Sequence, residues 1–220
     1  MIRTITVERE YGAGGGVIAK KLAERLRWKL WDQELTCEIA RVAKVDQAVV
    51  ERLDERCDPL FYRLMKVFMR GSMELSLPVR GMGHFDADSM LEFMRRVISG
   101  AASEGNSVIV GRGAPFLLRE RPDTFHVFVY APYQEKIRRL IEAGKTESAA
   151  ADEIENVDQQ RVIFVRRYFG MEWPTRELYH SMLNSKVGDD VVIDSILSQI
   201  HSLEAQRIPS DLGLTGQGRG

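Results

Sequence analysis

What this 220-residue sequence lacks already excludes several classes of protein. Its two cysteines, Cys37 and Cys57, cannot build a disulfide framework and show no metal-ligand spacing with the four histidines. The formal net charge is only −1, so a surface for a nucleic-acid polymer is not expected. No stretch approaches the roughly 18 apolar residues of a membrane span, and no signal-peptide core follows Met1. We therefore expect a cytoplasmic protein without a membrane partner.

The pattern that is present is typical of an α/β domain. Short β-rich or apolar segments alternate with segments of helical periodicity, which predicts a largely parallel sheet covered on both faces. The predicted strands are 2–7, 107–110, 124–130 and 190–193, with a short apolar stretch at 28–31 that ends at Asp32. The first predicted helix begins at Val17. The other main predicted helices cover 89–102, 132–140, 147–169 and 195–206.

A glycine-rich segment follows the first predicted strand and opens the first helix. A turn of this kind exposes backbone N–H groups at the positive end of a helix dipole, where a phosphate binds well. Glycine is needed there because the loop visits positive φ and because a Cβ would block the phosphate. The glycines of the segment are Gly12, Gly14, Gly15 and Gly16.

This segment departs from the standard phosphate-loop motif G-x-x-x-x-G-K-[ST]. Arg9 stands at the first glycine of the motif, Gly15 replaces its lysine, and Val17 replaces its magnesium-binding hydroxyl after one inserted residue. A tight structural turn is one alternative interpretation. A dinucleotide-binding loop is another, because Asp32 lies at the distance of a ribose-binding carboxylate, although Val17 stands where the third glycine of that loop would be.

Arginines could supply the positive charge that phosphoryl transfer requires. Arg112 follows a buried strand pattern and lies between two glycines, so we expect it to project into a site at the carboxyl edge of the sheet. Asp32 and the glycine segment fall at the same edge, which predicts one shared site. Arg138 and Arg139, in contrast, are interpreted as solvated helix charges.

A second group of arginines lies on the charged helix predicted over 147–169. Five and six residues separate Arg161 from Arg166 and Arg167, so these three side chains cannot all share one helix face. A lid that closes over phosphates would be built from such a helix. A solvated surface is the alternative, with Asp158 and Arg161 as an ordinary surface pair.

Taken together, these segments resemble the cytidylate-kinase-like family of P-loop nucleoside-monophosphate kinases. The likeness covers about residues 1–205. The motifs that carry it are Arg9-Glu10-Tyr11-Gly12-Ala13-Gly14-Gly15, Ile18-Ala19-Lys20-Lys21-Leu22-Ala23, Leu30-Trp31-Asp32-Gln33-Glu34-Leu35, Val108-Ile109-Val110-Gly111-Arg112-Gly113-Ala114, Asp158-Gln159-Gln160-Arg161 with Arg167-Tyr168, and Tyr179 with Leu183-Asn184-Ser185. The resemblance implies a three-layer P-loop kinase fold with a parallel five-stranded sheet covered by helices on both faces.

The resemblance also implies transfer of the γ-phosphate of ATP, with Mg²⁺, to a small acceptor such as the nucleoside monophosphate CMP. Arg112 would bind the acceptor phosphate, and Asp32 would help to hold the acceptor or the metal. The residues that would cradle the donor phosphates are Tyr11, Gly12, Ala13, Gly14, Gly15, Gly16 and Val17. The implied catalytic set is Arg9, Asp32, Arg161, Arg166 and Arg167, and no dedicated metal-ligating side chain is assigned.

Three departures from the family pattern qualify this implication. Cytidylate kinases have a loop lysine, a hydroxyl residue after it, and an aspartate after the arginine of the Gly-Arg pair. Here those positions hold Gly15, Val17 and Gly113. The missing aspartate weakens the case for cytosine nucleotides in particular. The missing lysine and hydroxyl motivate the alternative hypothesis, a non-catalytic nucleotide-binding regulatory module.

The expected organisation is one kinase-like domain over residues 1–206. It would include a mobile acceptor-side segment at about 57–85 and a lid at about 147–173, followed by a disordered tail at 207–220. The expected partners are a nucleotide and a small-molecule acceptor. The sequence does not determine whether the chain forms a homo-oligomer.

Overall fold

A computed structural model describes residues 1–32 and 87–207 of the chain. The strands are β1 (Thr4–Arg9), β2 (Lys29–Trp31), β3 (Ser107–Val110), β4 (Thr124–Tyr130) and β5 (Ser181–Asn184). The helices are α1 (Gly15–Leu26), α2 (Ala87–Glu104), α3 (Ala114–Leu117), α4 (Tyr133–Glu142), α5 (Glu147–Phe169) and α6 (Asp189–Arg207). The predicted segment at 57–85 and, apart from Arg207, the predicted tail lie outside the described residues.

The five strands form one parallel sheet in the order β2-β3-β1-β4-β5. This confirms the prediction of an α/β fold with a five-stranded parallel sheet. The order also excludes the dinucleotide-binding alternative, because that fold places its second strand beside its first. Here β3 and β4 flank β1, with Val7 paired to Val110 and to Val127.

Helices cover both faces of the sheet, so the domain has three layers. On one face, α1 and α6 pack through Ile18, Leu22 and Ile196 onto the apolar side chains of β1, β3 and β4. On the other face, α2 and α5 pack through Met94 and Phe164 against a second apolar cluster. Because both faces are covered, β1 and β3 are buried along their whole length, as is usual for parallel sheets.

The prediction of a last strand at 190–193 is wrong. These residues form the first turns of α6, and the fifth strand is Ser181–Asn184. The run is β-branched and apolar, which periodicity alone cannot distinguish from a buried helical segment. Val192 and Ile193 face the sheet from the helix and are buried. Acidic residues in the first turn of α6 also favour a helix start, because they complement the helix dipole.

The carboxyl ends of the three neighbouring strands β1, β2 and β3 meet at one edge of the sheet. The glycine loop follows β1, Asp32 follows β2, and residues 111–113 follow β3. The fold therefore brings the three predicted clusters to a single edge. Among the helices of the two described ranges, none is both long and apolar enough to cross a membrane.

Candidate functional site

The loop between β1 and α1 ends in an uncapped helix N-terminus. Gly12 and Gly14 adopt φ values of 76° and 75°, in the left-handed region that favours glycine. Gly14 is the N-cap of the 12-residue helix α1, without a capping side chain, and the first turn carries no acidic residue. The first amides of a helix have no intrahelical partner. Together with the helix dipole they fit an anion such as a nucleotide phosphate.

The glycines of this loop are also required by close packing. A Cβ on Gly15 would lie 2.6 Å from Cβ of Arg9, on the strand that the loop leaves. A Cβ on Gly12 would lie 3.1 Å from Cβ of Lys136, and one on Gly14 would lie 2.8 Å from Nη1 of Arg139. The loop thus packs directly against β1 and α4. A tight structural turn and a phosphate cradle are therefore both consistent with the same glycines.

Helix α4 holds the loop through Arg139. Its guanidinium donates from Nη1 to the carbonyl oxygen of Ala13 at 2.7 Å and from Nη2 to the carbonyl oxygen of Ser185 at 3.0 Å. The Ser185 hydroxyl also lies 2.7 Å from the Ala13 carbonyl oxygen. Since the N–H and C=O of a trans peptide point in opposite directions, fixing this carbonyl directs the Gly14 N–H away from α4. The interpretation of Arg139 as a solvated charge is wrong, whereas Arg138 is exposed and pairs with Glu135.

Helix α5 also contacts this loop. The carboxylate of Asp158 accepts the backbone N–H of Tyr11 at 2.9 Å. Arg161 donates from Nη1 to the carbonyl oxygen of Arg9 at 2.8 Å and to Asp158 at 3.0 Å. The Tyr11 hydroxyl donates to Glu153. The predicted pair of Asp158 and Arg161 therefore exists, but Arg161 is buried against the loop rather than on a solvated surface.

The charges around the loop are mostly buried and are paired with one another. Burial raises the pKa of Asp158, opposed by the neighbouring Arg161 charge, and burial lowers the pKa of Arg9 and of Arg161 from the ordinary arginine value. Lys136 is held 3.1 Å from Glu10 and 3.6 Å from Asp158. The ion pairs at this edge join the cations Arg9, Lys136, Arg112 and Arg161 to the carboxylates Glu8, Glu10, Asp32 and Asp158.

Arg112 lies in a strained turn after β3. Gly111, Arg112 and Gly113 all have left-handed φ values, of 61°, 57° and 71°. A non-glycine residue in this region is uncommon, and such strain concentrates at functional sites. The buried guanidinium donates from Nη1 to Asp32 at 2.8 Å and to the Val110 carbonyl oxygen at 2.7 Å.

Arg9 completes this group. A Cβ on Gly111 would lie 1.9 Å from Nη1 of Arg9, so the Arg9 side chain crosses directly over that glycine. The structure therefore brings together Arg9, Asp32 and Arg112 from the ends of three neighbouring strands. It does not bring Arg166 or Arg167 to them: both are exposed at the end of α5, and the Arg167 guanidinium lies 5.7 Å from the ring of Tyr168.

None of Glu8, Lys136, Arg139 and Ser185 was assigned to the site from the sequence, although Ser185 belongs to a motif that carries the family resemblance. Glu8 had a usable signal, because a carboxylate at a buried position of a strand pattern is rare without a partner. The sequence signal for Lys136 and Arg139 was weaker. They are three residues apart, and so on one face, of the helix that follows a strand next to β1. Among the residues in the two described ranges, no group of three or more metal-ligating side chains is suitably arranged for an ion.

Comparison with known proteins gives one family. The model of the cytidylate kinase-like family matches residues 4–187. An uncharacterized protein from Eubacterium ventriosum has a similar structure, with a TM-score of 0.64 and 24% identity, covering 92% of this chain and 99% of that chain. A shikimate kinase from Bacteroides thetaiotaomicron matches with a TM-score of 0.47 and 19% identity, covering 93% of this chain and 99% of that chain. No curated protein sequence matches significantly.

Proposed function

The chain belongs to the cytidylate kinase-like family, and we propose that it is a phosphotransferase that moves the γ-phosphate of ATP to a small acceptor, such as the nucleoside monophosphate CMP. Family membership supports a kinase. The observation that carries the proposal is the uncapped N-terminus of α1 at the sheet edge where Arg112 and Arg161 also lie, Arg112 bonded to Asp32 and Arg161 to the Arg9 carbonyl. Phosphoryl transfer is catalysed mainly by positioning and by positive charge, which such a site provides.

The donor phosphates would bind at the loop of residues 11–17. The amides at the start of α1 are unprotected by a side-chain cap, and the exposed Val17 and half-buried Gly16 leave the first turn accessible. Mg²⁺ normally keeps several waters and binds through substrate phosphates. It would therefore enter with the nucleotide and neutralise charge on the phosphates. The role of Tyr11 is then indirect, because its N–H is bonded to Asp158.

The acceptor would bind beside Arg112 and Asp32. A guanidinium can bind a phosphate through two N–H groups at once, and Asp32 holds that of Arg112 in place through Nη1. Arg161 and Arg9 would stabilise the charge of the transferred group from the loop side. Arg166 and Arg167 would join them only if the exposed end of α5 moved over the site, as a lid does.

Acceptor-dependent formation of ADP tests this proposal. The purified chain is mixed with ATP and Mg²⁺, alone and with each of CMP, UMP, AMP and GMP, and ADP is followed in a coupled assay. We expect ADP only when an acceptor is present, and loss of that activity with Arg112→Ala. ATP binding by calorimetry without ADP formation from any acceptor would rule the kinase out.

One observation favours a second candidate, a nucleotide-binding module without catalysis. The loop has Gly15 in place of the lysine, and the nearby ammonium of Lys136 is already held by Glu10 and Asp158. This lysine is therefore not free to contact a γ-phosphate in the structure described. ATP binding that is independent of Mg²⁺, with no turnover, is the expected signature of this alternative.

A further inference from the structure

Asp158 of α5 joins polar groups from the loop, from its own helix and from α4. Its Oδ1 accepts the backbone N–H of Tyr11 at 2.9 Å and a hydrogen bond from Nη1 of Arg161 at 3.0 Å. Its Oδ2 lies 3.6 Å from Nζ of Lys136. The side chain is only 18% exposed. A carboxylate removed from water depends on such donors, so the carboxylate and its donors hold one another in a single arrangement.

Arg161 is held by Asp158 and by the loop through the same nitrogen. Its Nη1 donates to the Arg9 carbonyl oxygen at 2.8 Å as well as to Asp158. Because the guanidinium is planar, these two bonds fix its orientation. Among residues 1–32 and 87–207, none accepts a hydrogen bond from Nε or Nη2 of this arginine. The N–H groups on these two nitrogens are therefore the ones that could donate to a phosphate.

Helix α5 is packed into the fold on both sides of Arg161. Before it in the helix, Ile154 contacts an apolar cluster that includes Ile137 of α4. After it, Phe164 is fully buried in the larger cluster between the sheet and α5. Arg161 itself is 3% exposed. Its guanidinium thus reaches the loop from a fixed helix, without any movement of α5.

Neutralising Lys136 is a second role that Asp158 could have. The Lys136 ammonium lies 3.1 Å from Glu10 and 3.6 Å from Asp158, so a closer carboxylate remains if Asp158 is removed. Arg161, in contrast, forms no ion pair with any other carboxylate of the described ranges. Asp158 can therefore be replaced as a partner of Lys136, but not as a partner of Arg161.

We propose that Asp158 is a positioning residue, which fixes Arg161 against the loop between β1 and α1 before a ligand binds. The inference rests on the proposed function, because Asp158 would act through the arginine that stabilises the transferred group. A charge that is already in place needs no reorganisation when the reaction begins. A misplacement of about 1 Å can reduce a rate about a hundredfold. Loss of Asp158 should therefore lower kcat, and only when Arg161 is present.

A double-mutant cycle on kcat tests this role. We measure kcat at saturating MgATP and acceptor for the wild-type chain, Asp158→Ala, Arg161→Ala and the double variant. Asp158→Ala alone should reduce kcat by about a hundredfold. In the Arg161→Ala background the same change should reduce kcat by no more than about twofold, because the residue that Asp158 positions is absent. Losses that multiply in the double variant would overturn the inference.

A conservative variant and a matched control separate positioning from folding. Asp158→Asn keeps an oxygen that can accept from Tyr11 and Arg161, so its kcat should stay within about tenfold of the wild type. If Asp158→Ala does not fold, the cycle is run with Asp158→Asn and judged by the same criterion. Glu155→Ala, which removes an exposed carboxylate one turn earlier on α5, should leave kcat unchanged.

The remaining outcomes also decide. A kcat for Asp158→Asn as low as that of a folded Asp158→Ala would overturn the inference, because the retained oxygen would then position nothing. If the wild-type chain turns over no nucleoside monophosphate, the proposed function fails and this inference fails with it. Turnover by the wild type, with losses that multiply in the cycle, overturns this inference alone.

Discussion

Arg139 of α4 donates a 2.7 Å hydrogen bond to the carbonyl oxygen of Ala13, in the centre of the glycine-rich loop between β1 and α1. The Ser185 hydroxyl lies 2.7 Å from the same oxygen. A peptide plane held from two sides cannot turn freely, so the adjacent amides keep one orientation. The loop has lost its lysine, yet its backbone is held by a cation that reaches it from another helix. Preorganisation of this kind lowers the entropic cost of binding a phosphate.

We therefore predict that Arg139→Ala weakens binding of MgATP by about tenfold or more, the effect of a lost hydrogen bond to a charged group. Arg138→Ala is a matched control, because Arg138 is the adjacent residue, pairs with the same Glu135, and does not contact the loop. Dissociation constants are measured by calorimetry. Equal affinities of the two variants would contradict the assigned role of Arg139.

Arg139 also illustrates what the sequence could not provide. Helical periodicity locates a charged side chain on a helix face, but not the loop that the face contacts. That loop precedes α4 by more than a hundred residues in sequence, and parallel pairing of β4 with β1 brings the two together. In contrast, the strand, glycine turn and helix of residues 4–26 could be predicted, because each depends on local chemistry: a β-rich run, positive φ, and an apolar helical stripe.

Two glycines should respond in opposite ways to substitution by alanine. A Cβ on Gly15 would lie 2.6 Å from Arg9 Cβ, so Gly15→Ala must displace β1 or α1 and should lower Tm markedly. A Cβ on Gly100, within α2, would have no atom within 4 Å apart from its chain neighbours and the adjacent backbone of its own helix. Gly100→Ala should stabilise the chain by about 0.5–1 kcal/mol, or roughly 1–4 °C in Tm. The measurement is thermal unfolding by calorimetry. Similar Tm changes in both variants would show that the loop does not pack as described.

The buried pair of Arg112 and Asp32 should be strongly coupled. Arg112→Met leaves the Asp32 carboxylate without its 2.8 Å partner, and Asp32→Asn weakens the contact from the other side. Breaking a buried pair costs about 3–5 kcal/mol, whereas replacing both charges costs much less. We predict that the double variant is more stable than the sum of the single effects implies. Denaturant unfolding of the four proteins measures the coupling, and strict additivity would contradict it.

The same pair shows how far the site could be predicted. The rule that ligands bind at the carboxyl ends of parallel strands brought Asp32 and Arg112 to one edge. It could not show that Arg112 is bonded to Asp32, because that contact depends on the left-handed turn at residues 111–113. Nor could the periodicity of α5 show that Arg161 is buried while Arg166 and Arg167 are exposed, since tertiary packing selects the buried face.

Stability should fall between pH 6.5 and 4 because of His126. Burial, with a smaller contribution from His180, lowers the pKa of His126 to about 4. In the unfolded chain this histidine therefore becomes protonated below pH 6.5, whereas in the folded chain it becomes protonated only near pH 4. The free energy of unfolding therefore decreases by on the order of 3 kcal/mol as the pH falls through this window.

Denaturant unfolding at several pH values measures this loss. His126→Gln should flatten the profile in that window, although it also removes the 2.7 Å contact with Thr6 and lowers stability at pH 7. His201→Gln, at an exposed position, should keep the wild-type slope. An unchanged slope in His126→Gln would assign the acid sensitivity to other groups.

The proposed reaction is transfer of the γ-phosphate of ATP at this loop, with arginines from other elements. Its most direct test follows the γ-phosphate by ³¹P NMR in a mixture of ATP, Mg²⁺, CMP and the wild-type chain, beside Arg161→Ala and the exposed Arg166→Ala. With the wild type we expect loss of the ATP γ-phosphate signal and growth of a CDP signal. With Arg161→Ala we expect a rate reduced by about two orders of magnitude or more, the effect of removing one charge-stabilising donor. Arg166→Ala should retain more activity than Arg161→Ala. Binding of ATP with no transfer to CMP or to any other nucleoside monophosphate would contradict the account and favour the non-catalytic module.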